Sequence, residues 1–158
     1  MTAQSTPPEL RADLERALAV ELFNRTWELL ELPSRTEQQD DEMVDAAHAS
    51  AWHWRNVGTP ANAARAHWLC ARVYATLGRA EAALLHARRA VEIVAVGGEG
   101  LEDWDAAAAS EGMARALLAC GNPTAAASWK QRAITELERI ADPEDRIQIA
   151  ADLESLPI

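Results

Sequence analysis

The sequence predicts an all-α protein of antiparallel helix hairpins, about three helix pairs closed by a C-terminal cap helix. Three observations carry this prediction. One segment recurs, first as Trp68-Leu69-Cys70-Ala71-Arg72-Val73-Tyr74-Ala75-Thr76-Leu77-Gly78 and again as Glu111-Gly112-Met113-Ala114-Arg115-Ala116-Leu117-Leu118-Ala119-Cys120-Gly121. Both copies carry Ala-Arg-x-x-x-x-x-Gly, and each is followed by an Ala-rich amphipathic stretch. Helix-starting and helix-stopping residues punctuate the chain, and no segment alternates apolar with polar residues as a half-buried strand does. Such self-similarity marks an architecture in which each helix pair buries its apolar face only by stacking on its neighbour.

The punctuation predicts each element in turn. Thr6 followed by Pro7, Pro8 and Glu9 reads as N-cap, first-turn prolines and capping-box acid, opening a long helix to about Leu32 before Pro33. Thr36 with Gln39 opens a second helix that ends near Val57-Gly58. Thr59-Pro60 opens the third, and Gly78 closes it. The fourth runs from about Arg79 to Val96, and Gly97-Gly98-Glu99-Gly100 is a flexible loop. A fifth spans about Glu102 to Cys120, a sixth about Pro123 to Ala141, and Asp142-Pro143 starts a short last one. The layout is one domain over 1–158: an N-terminal pair (6–58), a first repeat (59–96), a second repeat (101–141) and a cap (142–158).

Composition bounds what such a domain does. At 158 residues the chain is long enough for a real core, and its 25% charged content is that of an ordinary globule. Much of the apolar share is alanine, so tight helix-on-helix contact anchored by the six Trp residues is expected. The net charge of -10 argues against nucleic-acid or anionic-membrane binding, which needs clustered Lys and Arg. Partners are expected to be basic, neutral, or matched to a local basic patch. The N-terminus carries no signal-like region and no apolar run approaches a bilayer span, so a cytoplasmic location is expected. Cys70 and Cys120, without Cys-x-x-Cys spacing, read as two reduced core thiols.

At the recurring segment the chain resembles the tetratricopeptide family, whose repeat is a helix–turn–helix with small residues at fixed places, an aromatic and a Gly between them. Ala71, Tyr74, Gly78, Ala83 and Ala90 match those places in one copy, and Ala114, Leu117, Gly121, Ala126 and Ala133 in the other. The match covers about half the chain. The period from Gly78 to Gly121 is 43 residues against the family's roughly 34, the excess falling in the fourth helix and the Gly-rich loop. A closed bundle is therefore expected in place of a regular superhelix. The arrangement also resembles, more loosely, a bacterial group, which implies no activity.

The resemblance implies a concave groove lined by the first helix of each pair, with ligand-facing positions at Arg65, Trp68 and Arg72 in one copy and Ala108, Glu111 and Arg115 in the other. Helical spacing independently places residues three, four and seven apart on one face. A groove bearing Arg72 and Arg115 with Trp68 as its wall suits a carboxylate, a phosphate or an acidic peptide, because guanidinium binds anions bidentately. Glu111, four residues before Arg115, gives the same residues a second meaning: an intrahelical ion pair beside a packing Trp.

The second helix carries the other unusual cluster. Met43, Ala47, Ser50 and Trp54 point one way, while Asp41, Asp45, His48 and Trp52 point nearly opposite. An aromatic on each face predicts cover on both sides, with His48 and a carboxylate partly out of water. Asp45 and His48 have the Asp/Glu-x-x-His spacing of helical-bundle metal sites, but such a site wants the motif twice plus two glutamates, and only Glu28 and Glu21 could add to it. His53 lies about 140° around the helix from His48. No metal and no cofactor are therefore expected. A His–Asp pair at a helix interface and a general acid/base role remain as readings. His67 and His86, near packing positions, read as structural.

Phosphate-loop, nucleotide-fold, Ser-hydrolase and His-Glu-x-x-His motifs are absent. The expected function is a binding or scaffold module taking a protein or peptide segment, or a small anionic ligand, in its groove. The alternatives are an enzyme using His48 with Asp45 or Asp41, and also His53, or a homodimer that covers the exposed Trp face.

Overall fold

The computed structural model describes residues 7–158. They form α1 (Pro8–Leu30), α2 (Glu37–Val57), α3 (Pro60–Thr76), α4 (Ala80–Val96), α5 (Asp105–Ala119), α6 (Pro123–Leu137) and α7 (Pro143–Glu154), with no strand among the described residues. α1 pairs with α2, α3 with α4 and α5 with α6. The pairs stack in chain order, and α7 caps the stack on α6 and α5. None of these helices is long and apolar enough to cross a membrane.

Local sequence explains the boundaries. At the start of α2 the Gln39 amide donates to Thr36 Oγ1 (3.2 Å) and the Thr36 amide to Gln39 Oε1 (2.9 Å), a reciprocal capping box. Asn62 Oδ1 accepts the Thr59 amide at 3.0 Å before Pro60 opens α3. The Thr6 cap lies outside the described residues. α5 begins at Asp105, later than expected, because the Asp105 carboxylate takes the Glu102 amide at 2.8 Å and holds residues 102–104 in a turn. α6 stops at Leu137, short of Ala141, whose amide instead donates to Asp103 at 2.8 Å.

The two copies of the recurring segment close identically. Gly78 (φ 68°) and Gly121 (φ 71°) both take the left-handed conformation. The amide that follows each reaches back to a helix carbonyl, Arg79 to Tyr74 (2.8 Å) and Asn122 to Leu117 (2.9 Å). The alanines matched between the copies, Ala71, Ala83 and Ala90 with Ala114, Ala126 and Ala133, are all buried. They let helix backbones approach closely, which is why so alanine-rich a chain has a core at all.

Larger residues fill the junctions. Leu29, Met43, Cys70 and Val73 pack between the first two pairs, while Ile140, Ile149, Leu153 and Leu156 seat α7 against the last pair, beside Trp68, Trp104 and Trp129. Trp52 departs from the expected anchoring role and is 58% exposed. On α2 the face of Met43, Ala47 and Ser50 is buried, whereas Asp41, Asp45, His48 and Trp52 are exposed. Cys120 also corrects an expectation: it caps α5 in an exposed position, whereas Cys70 is buried.

Candidate functional site

α1, α3 and α5, the first helices of the three pairs, meet α7 around a cleft of about 350 Å³. Phe23 and Trp27 of α1, Trp68 of α3 and Trp104 at the N-cap of α5 form its aromatic wall. The Trp27 and Trp68 rings lie 5.6 Å apart, tilted by 44°. Trp68 reaches this place only because residue 112 is glycine: a Cβ there would sit 2.8 Å from Trp68 Cδ1. α7 supplies Ile149 and Gln148, and the rim is acidic, with Glu31, Asp145 and Asp152. Desolvation and the neighbouring carboxylates Asp142, Glu102, Asp103 and Glu144 push the Asp145 carboxyl up from its ordinary value.

The arginines expected to line a basic groove are half-buried on carboxylates beside this cleft. Arg65 forks onto Asp105, Nε at 2.9 Å and Nη2 at 2.8 Å, and lies over the Trp104 ring at 4.3 Å. Arg72 donates to Glu111 Oε1 (3.2 Å) and Asp152 Oδ1 (2.7 Å), with its guanidinium 5.6 Å from the Trp27 ring centroid. Arg115 donates to Glu111 Oε1 (2.7 Å), Ser155 Oγ (2.7 Å) and the Asp152 carbonyl (3.1 Å). Glu111 is therefore the hub of a network joining α3, α5 and α7. It is 1% exposed, and burial pushes its carboxyl up while Arg115 and Arg72 pull it back. Its Oε2 and the Trp68 indole N–H are buried without a partner among the described residues. Ala108 is buried and takes no part. Sequence reasoning missed Glu31, Trp104, Asp145 and Asp152; the acidic run Asp142–Asp145 was a signal for Asp145 alone.

The residues of the enzyme alternative do not converge. His48 Nε2 pairs with Tyr74 Oη of α3 at 2.7 Å, and no hydrogen bond joins it to Asp45, three residues earlier on the exposed face. His53 points to the other side, where its Nδ1 meets Glu15 of α1 at 2.5 Å. That bond, with a second from Asn56, holds Glu15 below its usual range.

His67 and His86, read from the sequence as structural, face each other across α3 and α4 with their Nδ1 atoms 2.9 Å apart. His86 also stacks on Tyr74 at 5.6 Å and meets His48 edge-on at 5.4 Å. Burial, with His67, His48 and Arg89 nearby, pushes His86 down to about 4, and burial likewise lowers His67. The neighbouring Cys70 thiol is pushed up by burial to about 12. Both imidazoles and the thiol are thus neutral at pH 7. The spacing of His67, Cys70 and Tyr74 on one face of α3 was the available signal.

The fold and the cleft together define a class, a helical-hairpin bundle with an aromatic, acid-rimmed groove on the side of its first helices. No family model, no curated protein and no solved structure matches the chain.

Proposed function

We propose that the chain is a tetratricopeptide-like binding module whose groove takes a basic segment of a partner protein or peptide, setting a Lys or Arg side chain against the tryptophan wall. The observation that carries this reading is the lining of one cleft by three Trp rings, from α1, α3 and the N-cap of α5, together with Glu31 and Asp145, which have no ion-pair partner among the described residues. A cation over an indole face is favourable by about 0.5–2 kcal/mol, and a carboxylate at the rim adds direction. The chain's own Arg65 and Arg72 already use this chemistry on Trp104 and Trp27. The ligand sign differs from that expected of the groove arginines because their donors are taken by Asp105, Glu111 and Asp152. The identical glycine closures, the matched buried alanines and the groove on the first-helix side support the tetratricopeptide-like class. The net charge of -10 favours a basic partner.

The test is a fluorescence titration, read from the tryptophans, with a short Lys/Arg-rich peptide and a Glu-rich peptide of equal length. The basic peptide should bind, more weakly as salt rises, and the double variant Glu31→Gln/Asp145→Asn should lose most of that binding while keeping its helical circular dichroism. Selective binding of the acidic peptide would return the groove to its anionic reading. Binding of neither would remove the cleft as a peptide site.

A further inference from the structure

We propose a second site, distinct from the cleft: a thiophilic divalent-cation site, for Zn2+, formed by His48 of α2, Cys70 of α3 and His86 of α4. One ring nitrogen of each histidine and Cys70 Sγ lie within 4.8 Å of one another. The three residues come from three helices and are brought together only by the stacking of the first pair on the second. Around a tetrahedral Zn2+, with Zn–N about 2.0 Å and Zn–S about 2.3 Å, such atoms stand roughly 3.5 Å apart. The cluster therefore has to draw in by about 1 Å, within the reach of small side-chain torsions.

Three features besides proximity favour an ion. The first is the donor set, since imidazole and thiolate together select Zn2+ over the hard cations that acidic clusters attract. The second is the surrounding shell. A metal-bound imidazole keeps one nitrogen for a hydrogen bond that fixes its tautomer; His48 bonds Tyr74 Oη through Nε2 (2.7 Å) and His86 bonds His67 Nδ1 through Nδ1 (2.9 Å), so with those bonds kept the ion takes His48 Nδ1 and His86 Nε2. The third is charge. Cys70, as thiolate, brings the compensating negative charge.

Binding replaces the Cys70 S–H bond by an S–Zn bond and releases that proton to solvent, while the two imidazoles bind as neutral ligands. Three protein ligands leave the fourth tetrahedral position to water. His48 is exposed, which gives an ion a path from solvent, and Cys70 is buried, which protects the bond once made.

Metal-stripped, reduced full-length protein titrated with Co2+ tests the proposal. The expected result is one equivalent bound, a thiolate-to-cobalt charge-transfer band, the visible bands of a tetrahedral ion, and displacement of both by Zn2+. Cys70→Ala should abolish the charge-transfer band; Cys120→Ala and His53→Gln should leave it intact. His86→Gln and His48→Gln should each weaken Co2+ binding by more than about tenfold, and Tyr74→Phe by about 10–100-fold. No charge-transfer band in folded wild-type protein at excess Co2+ would overturn the site. A band that survives Cys70→Ala and vanishes in Cys120→Ala would overturn it equally. Should Cys70→Ala fail to fold, the wild-type and Cys120→Ala titrations decide alone.

Discussion

At the scale of single residues, Glu111 sets the terms for its neighbours. A carboxylate with 1% exposure and one unpartnered oxygen is tolerable only while both guanidiniums face it. Replacing Arg72 by Ala removes one of the two and also frees Asp152. The expected loss is about 3–5 kcal/mol, measured by denaturant unfolding, because it leaves buried negative charge uncompensated. An Arg72→Ala/Arg115→Ala protein that melts like the wild type would show that the network is not structural. The arginines were legible as a matched pair from Ala71-Arg72 and Ala114-Arg115, and Glu111 was legible as a partner for Arg115 four residues on. Asp152 was not, since it stands 80 residues from Arg72 and no local pattern reports such a contact.

At the scale of elements, caps were legible because they are local chemistry: Thr36 with Gln39 and Thr59 with Pro60 each settle a helix start within four residues. Helix faces were harder. The aromatic at Trp52 suggested cover that no neighbouring helix supplies, because amphipathic reading reports what a face contains and not what packs on it. The contact between α1 and α2 carries a pH dependence that follows from Glu15. Its hydrogen bonds from His53 and Asn56 keep its folded pKa below 4.5, so the unfolded chain binds the proton more readily. The stability this gives is present above pH 4.5 and is lost as pH falls through the folded value. A wild-type melting temperature above that of Glu15→Gln near pH 6, with the gap closing below pH 4.5, is the expected result in parallel thermal melts. A gap independent of pH across that range would rule out the linkage. The same reasoning applies to spacing within the repeat. Ala71 and Ala114 are 1% and 0% exposed at equivalent close approaches, so Leu at either should overpack its contact and cost about 1–3 kcal/mol by chemical denaturation. Unchanged stability in both variants would mean that the two copies are wrongly aligned.

At the scale of the whole molecule, the hairpin architecture was readable because the sequence repeats it, whereas the aromatic cleft was not, because its walls repeat nothing. Trp27, Trp68, Trp104 and Asp145 come from different parts of the chain with no shared motif, and only the packing of the elements brings them to one place. α1 and α7 do not pack on each other; the cleft lies between them, with Trp68 of α3 between its walls. Each hairpin is assembled from neighbours in the chain, but the cleft is lined by residues as far apart in the chain as Phe23 and Asp152. Bringing segments of that separation to one place carries a large loop-closure entropy and is favoured only after the local contacts exist. A chain with every helix and hairpin formed could still have no cleft, so whatever binds there would distinguish a finished molecule from a nearly finished one.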